Sequence, residues 1–80
     1  MDTVTVIRNR LQLLCEDRGI TINKLATISG VSPSSVKGIL YKRSNNPKIL
    51  TIKTLCDGLG ITLGEFFSTP EFDALEQTIK

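Results

Sequence analysis

The stretch of sequence that decides the fold runs from residue 22 to residue 41 and reads Ile-Asn-Lys-Leu-Ala-Thr-Ile-Ser-Gly-Val-Ser-Pro-Ser-Ser-Val-Lys-Gly-Ile-Leu-Tyr. It predicts two short helices joined by a tight turn. Gly30 suits the turn because glycine readily takes the positive φ that commonly follows a helix, and Val31 is expected to fill the turn from inside. Ser32 can cap the second helix, and Pro33 then occupies its first position, where a missing N–H is tolerated.

The apolar residues of this stretch are spaced so that each helix buries one face. Leu25 and Ala26 supply that face in the first helix, and Val36, Ile39 and Leu40 supply it in the second. The pattern is typical of a DNA-binding helix-turn-helix, whose second helix enters the major groove. A helical bundle with no role in nucleic-acid binding also contains helix pairs joined by glycine turns, so the pattern alone leaves both interpretations open.

The distribution of charge favours DNA binding. From residue 54 to residue 80 there are five acidic residues and one basic residue. The net charge of +2 therefore hides a basic middle and an acidic end, and a basic zone centred on the second helix is expected of a surface that binds phosphates. From residue 18 to residue 53 there is no acidic residue, and the seven basic residues are Arg18, Lys24, Lys37, Lys42, Arg43, Lys48 and Lys53.

The length of 80 residues predicts one domain, and its apolar content of 40% is enough for one core. Five short helices would suit that core, so we expect a compact all-α bundle. No run of about 18 apolar residues is present, and the N-terminus lacks the features of a secretion signal, so a cytoplasmic protein is expected. We take residues 1–68 as the helix-turn-helix domain and residues 69–80 as a C-terminal extension with a short helical turn and a frayed end. The expected helices are 4–18, 22–29, 33–41, 50–59 and a fifth that opens after residue 62, followed by a turn over 71–77.

Local signals place the helix ends and account for the cysteines. Thr3 or Thr5 is expected to cap the first helix, and Thr21 the second. Cys15 and Cys56 fall on apolar helix faces and are expected to be buried, reduced thiols. A zinc site needs about four ligands, whereas the chain has two Cys and no His. No nucleophile–base set and no Gly-rich phosphate loop is found, so we expect no catalytic residue, no cofactor, no metal and no enzymatic activity.

The chain from about Arg8 to Phe67 resembles the phage-repressor (Cro/Xre-type) helix-turn-helix family, whose fold is the five-helix, lambda-repressor-like DNA-binding domain. The resemblance implies a transcriptional regulator, a repressor by expectation, that binds double-stranded DNA with its third helix in the major groove. The matching residues are Gly19-Ile20-Thr21, Leu25-Ala26, Gly30-Val31-Ser32, Val36, Ile39, Asn46-Pro47, Leu55, Leu59-Gly60-Ile61 and Leu63.

The resemblance also implies which residues contact DNA. The family's base-contacting positions correspond to Ser32, Pro33, Ser34, Lys37 and Gly38, of which the lysine can donate to guanine O6 or N7. On a helical wheel the last three of these point outward together with Tyr41. A helical glycine at 38 allows close approach of the backbone to DNA, leaves room to pack against the second helix, or is merely tolerated. Phosphate contacts are expected from Thr21, Tyr41, Lys42, Arg43 and Asn45.

Three departures from the family pattern stand out. Ile22 occupies a position where the family often has a phosphate-binding Gln. Cys15 and Leu40 occupy positions where the family often pairs an Arg of the first helix with a Glu of the third; losing both charges together can be neutral, whereas losing one would strand the other. The third helix also lacks the Gln and Arg residues that commonly read bases.

A homodimer formed through the C-terminal region is expected, because symmetric operators usually mirror a two-fold axis of the protein. No small-molecule ligand is evident. Two alternatives stay open: a protein-interaction module that keeps the fold without binding DNA, and an antitoxin that binds both DNA and a toxin. The candidate partner surface, part of which must instead fill the core, comprises Phe66, Phe67, Phe72, Leu75 and Ile79.

Overall fold

The computed structural model describes residues 2–41, 46–77 and 79, and within these ranges the chain forms six α-helices and no strand. The all-α prediction is confirmed, with one helix more than expected because part of the C-terminal turn becomes helical. Among the described residues, none of the helices combines the length and the apolar composition that a membrane span requires. The helices are α1 Thr3–Arg18, α2 Ile22–Ser29, α3 Pro33–Leu40, α4 Ile49–Leu59, α5 Leu63–Phe67 and α6 Pro70–Asp73.

The first helix begins one residue earlier than the sequence predicted. Its N-cap is Asp2, whose carboxylate accepts the Thr5 N–H at 2.8 Å. This hydrogen bond lowers the pKa of Asp2, because it favours the charged form. The prediction that Thr3 or Thr5 caps the helix is therefore wrong: both residues lie inside α1.

The turn between α2 and α3 forms as predicted. Gly30 takes a φ of 68°, and its N–H donates to the Thr27 carbonyl at 3.3 Å. The Val31 N–H reaches back to the Ala26 carbonyl at 3.0 Å, and the Val31 side chain packs against the core. Hydrogen bonds within one short turn thus fix the orientation of α3 relative to α2.

The core lies where these helices meet. Phe66 of α5 is completely buried, and Phe67 and Phe72 pack against the core and against each other, with their ring centroids 4.9 Å apart. Phe66 therefore belongs to the core, which corrects its assignment to a partner surface, whereas Phe67 and Phe72 are only partly buried. The remaining buried apolar residues of this cluster are Ile7, Leu11, Leu14, Cys15, Leu25, Ala26, Val36, Ile39, Leu40, Ile52, Leu55, Cys56 and Leu59.

Both cysteines are free and buried, as predicted. Burial raises the pKa of each thiol, since the interior disfavours the thiolate. Cys15 and Leu40 belong to the same core cluster. The positions at which the family often has an ion pair are therefore apolar and buried here.

Three arginines of α1 each donate to the main chain in the last turn of another helix. Arg8 Nε donates to the Ile39 carbonyl of α3 at 2.7 Å. Arg10 Nε donates to the Phe66 carbonyl of α5 at 2.9 Å. Arg18 Nε donates to the carbonyl of the last residue of α4 at 3.2 Å. Because the last carbonyls of a helix have no partner within it, α1 satisfies acceptors at three different helix ends.

Candidate nucleic-acid interface

The face of α3 that the sequence assigned to DNA points away from the core. Ser34 is exposed, Lys37 and Gly38 are half-buried, and Tyr41 is 60% exposed. On the opposite side, the apolar stripe of α3 is buried, as the wheel predicted. We call the outward set, Ser34, Lys37, Gly38 and Tyr41, the α3 ridge.

The leading end of α3 is exposed but not entirely free. Ser32 accepts the Ser35 N–H at 3.3 Å and lies 2.8 Å from the Ser35 hydroxyl. The Ser32 hydroxyl is therefore used to cap the helix. Pro33 and Ser34, which follow it, are exposed at the start of α3. Ser35 was not singled out from the sequence, although its position three residues after the cap was the available signal.

Gly38 is not a packing glycine. A Cβ atom built on it would meet no described atom within 4 Å, apart from its own helix backbone and chain neighbours. The interpretation that it makes room for the second helix is therefore wrong. The glycine that does so is Gly58 of α4, where a Cβ would stand 2.0 Å from Ser29 Oγ of α2. Gly38 instead leaves bare backbone on the α3 ridge.

The start of α2 lies beside the end of α3. Thr21 is exposed and caps α2 by accepting the Lys24 N–H at 3.1 Å. Ile22 packs against the core, so the usual phosphate-binding Gln is replaced here by an apolar side chain that contributes to folding. An open depression of about 490 Å³ joins the two helices, with Thr21, Leu40 and Tyr41 among its lining residues. The N-terminal end of α2 is therefore accessible from the same side as the end of the ridge.

The start of α4 is not among the DNA contacts that the sequence predicted. Its N-cap is Lys48, and no described side chain caps the helix. The open N–H groups and positive dipole end of such a terminus suit an anion. An open depression of about 240 Å³ lies between α3 and this terminus, lined by Gly38, Lys48 and Thr51 among others. Lysine at an N-cap, in place of Ser, Thr, Asp or Asn, was the available sequence signal.

The described basic residues near the ridge differ in how free their charge is to meet a phosphate. Lys24 and Lys48 are exposed. Lys53 forms an ion pair with Asp57 one turn further along α4, so its charge is partly committed. Lys42, Arg43 and Asn45 lie outside the described residues, and their expected phosphate contacts stay predictions from the sequence.

The sequence from residue 10 to residue 71 matches the profile of the Cro/C1-type helix-turn-helix DNA-binding domain. The chain belongs to this family. Two known proteins illustrate the similarity. The HTH-type transcriptional repressor RghR of Bacillus subtilis (strain 168) is 42% identical over 52 residues, which are 65% of this chain and 38% of that protein. This Cro/C1-type chain thus matches well under half the length of that relative.

A solved structure supports the Cro/C1-type fold over nearly the whole chain. The crystal structure of the prophage Lp1 protein 11 superposes with a TM-score of 0.81 at 31% sequence identity. The superposition covers 92% of this chain and 97% of that one. The likeness to a phage-repressor fold, first inferred from residues 8 to 67, is thereby confirmed.

Proposed function

We propose that this Cro/C1-type domain binds double-stranded DNA sequence-specifically, with α3 in the major groove, and represses transcription. The observation that carries the proposal is the α3 ridge: an outward helix face in the middle of a stretch, residues 18–53, that contains no acidic residue. RghR, which is similar over 52 residues, is itself named a transcriptional repressor, and this supports the regulatory role.

Each residue of the ridge would contribute differently to base recognition. Lys37 donates to guanine O6 or N7, while Ser34, which both donates and accepts, discriminates less. Gly38 lets the helix backbone approach the groove, because no Cβ stands between backbone and DNA. Pro33 and the capping Ser32 lead the helix into the groove. With few strong base readers, part of the specificity comes from DNA shape.

Phosphates would be held at three places around the ridge. The N-terminus of α2 with Thr21 forms one, and the N-terminus of α4 with Lys48 forms another. Tyr41, followed in sequence by Lys42, Arg43 and Asn45, provides the third. Each phosphate that a basic residue neutralises contributes about 0.9 to the slope of log affinity against log salt. Affinity is therefore expected to fall steeply as salt is raised.

We also propose that the protein acts as a homodimer in the cytoplasm. Symmetric operators usually mirror a two-fold axis of the protein. The C-terminal apolar residues that remain at least partly exposed are Phe67, Phe72 and Leu75, each half-buried, and Ile79, 85% exposed. Light scattering at rising protein concentration, with and without DNA, is expected to detect a dimer; a monomer under every condition would rule it out.

The direct test is selection of bound duplexes from a random pool, followed by a salt titration on the selected sequence. Lys37→Ala is expected to reduce the preference for the selected duplex over a scrambled one. Lys48→Ala is expected to weaken both duplexes alike and to lower the salt slope by about 1. Lys53→Ala, whose charge pairs with Asp57, serves as the matched control with little effect on either.

Failure to enrich any sequence, with affinity that barely changes with salt, would contradict the proposed function. That result would favour the alternative of a protein-interaction module that keeps the fold. Enrichment together with capture of a toxin encoded beside it would favour the antitoxin role.

A further inference from the structure

The buried guanidinium of Arg8 links α1 to α3. Arg8 is only 8% exposed, and its Nε donates to the Ile39 carbonyl at 2.7 Å. Ile39 lies in the last turn of α3, where carbonyls have no partner within the helix. In the same turn, the Tyr41 N–H donates to the Lys37 carbonyl at 2.8 Å. The arginine therefore satisfies an acceptor that the helix itself leaves open.

The burial of Arg8 makes the loss of this hydrogen bond costly. A buried charge is costly unless it is hydrogen-bonded. The C-terminal end of a helix is the negative end of its dipole, so a cation is favoured there. Hydrogen bonds from charged donors are also shorter and stronger than neutral ones. Movement of the α3 end away from Arg8 would leave the guanidinium buried without this partner, and this opposes such movement.

Apolar residues of α1 and of the end of α3 also share the core. Cys15 and Leu40 stand where the family often has an Arg–Glu pair, and both lie in the core. Apolar contact is non-directional, so it holds the helix in place without fixing its rotation well. Arg8 supplies a directional link instead, and it attaches one residue after Gly38 and two after Lys37 of the ridge.

We propose that Arg8 is a positioning residue for base reading: from behind α3 it sets the orientation of the ridge. The inference rests on the proposed function. Base contacts in the major groove need defined hydrogen-bond geometry, whereas phosphate contacts tolerate small shifts. Loss of Arg8 should therefore reduce discrimination between sequences more than it reduces binding to DNA in general.

The chain offers a matched control in Arg10. It also lies on α1, and it donates from Nε to the Phe66 carbonyl and from Nη2 to the Glu65 carbonyl, each at 2.9 Å. These acceptors belong to the last turn of α5, which carries no residue of the ridge. Arg10→Met removes the same type of hydrogen bond as Arg8→Met, but at a helix end that does not read bases.

The test compares Arg8→Met, Arg8→Lys and Arg10→Met with the wild type. Urea unfolding at several temperatures first identifies one at which all four proteins are folded in the absence of urea. Affinities for the selected duplex and a scrambled duplex are then measured there. Arg8→Met is expected to lower the ratio of the two affinities about tenfold, the effect of roughly one lost base-pair contact. Its affinity for scrambled DNA should stay within about twofold of wild type, since phosphate contacts are kept.

Two further readouts separate positioning from stability. Arg8→Lys keeps a buried donor and should restore most of the ratio, and amide NMR shifts in α3 should change in free Arg8→Met but not in free Arg10→Met. Equal ratios in Arg8→Met and wild type would overturn the inference, even if Arg8→Met is less stable. Absence of specific binding by the wild type would overturn the proposed function itself, and this inference with it.

Discussion

Ser29 of α2 and Gly58 of α4 lie in such close contact that the glycine has no room for a side chain. A Cβ on Gly58 would stand 2.0 Å from Ser29 Oγ, 3.0 Å from its Cβ and 3.1 Å from its Cα. The hydroxyl could rotate away, but the other two atoms move only with the helix. This contact therefore sets how closely α2, the first helix of the helix-turn-helix, approaches α4.

Gly58→Ala is expected to destabilise the domain. The added methyl group forces α2 and α4 apart, and such overpacking typically costs about 1–3 kcal/mol. The better helix propensity of alanine offsets at most about 1 kcal/mol of this. Urea unfolding should therefore show a lower free energy of unfolding, and an unchanged or higher value would contradict the close packing.

Gly38→Ala is expected to have the opposite effect on stability and to weaken DNA binding. Since a Cβ at this position meets no described atom within 4 Å beyond its own helix backbone and chain neighbours, the substitution should add up to about 1 kcal/mol of helix propensity. The same methyl group would stand between the α3 backbone and the groove. Measurements on one sample should show a higher free energy of unfolding and a lower affinity for the duplex. An unchanged affinity would exclude close approach of the backbone to DNA at Gly38.

Ser29→Ala is expected to stabilise the domain. The Ser29 hydroxyl is buried and has no hydrogen-bond partner among the described residues. An unsatisfied buried hydroxyl costs about 1–3 kcal/mol, so its removal should raise the free energy of unfolding. Ser34→Ala, at an exposed position of α3, reports what the loss of a helical hydroxyl does without burial. A gain no larger at Ser29 than at Ser34 would show that the buried hydroxyl costs nothing.

The two buried thiols are expected to make the domain less stable in alkaline solution. Burial raises the pKa of Cys15 and Cys56 above the ordinary value of 9.0. Above that pH the unfolded chain loses thiol protons that the folded chain still holds, so the free energy of unfolding falls as pH rises. Urea unfolding from pH 7 upward checks this. The Cys15→Ala/Cys56→Ala double variant should show a shallower decline, and an equal decline would assign the effect to other groups.

Features that depend on neighbouring residues could be predicted from the sequence. The turn at Gly30 and the caps at Thr21 and Ser32 are local signals, and the structure confirms them. The cap of α1 was misplaced because several capping residues follow one another near the N-terminus, and only the position of the first helical turn decides between them.

Features that depend on distant residues could not be predicted in this way. Gly38 and Gly58 both stand inside helices, and only the packing of α2 on α4 shows which of them needs to be glycine. The hydrogen bond from Arg8 to Ile39 joins residues 31 positions apart. Every residue has a main-chain carbonyl, so an arginine that donates to one cannot be matched to its partner from the sequence in the way that it can be matched to an acidic residue.

The arginines of α1 also change how the composition of the chain should be interpreted. Ten basic residues suggest many cations that could contact a polyanion, yet Arg8, Arg10 and Arg18 each donate from Nε to a main-chain carbonyl of their own domain. Counting Lys and Arg therefore overstates the number of side chains that are free to contact phosphates. Transferring the ridge to a scaffold of equal net charge would not reproduce those contacts unless the free cations were placed on the same side.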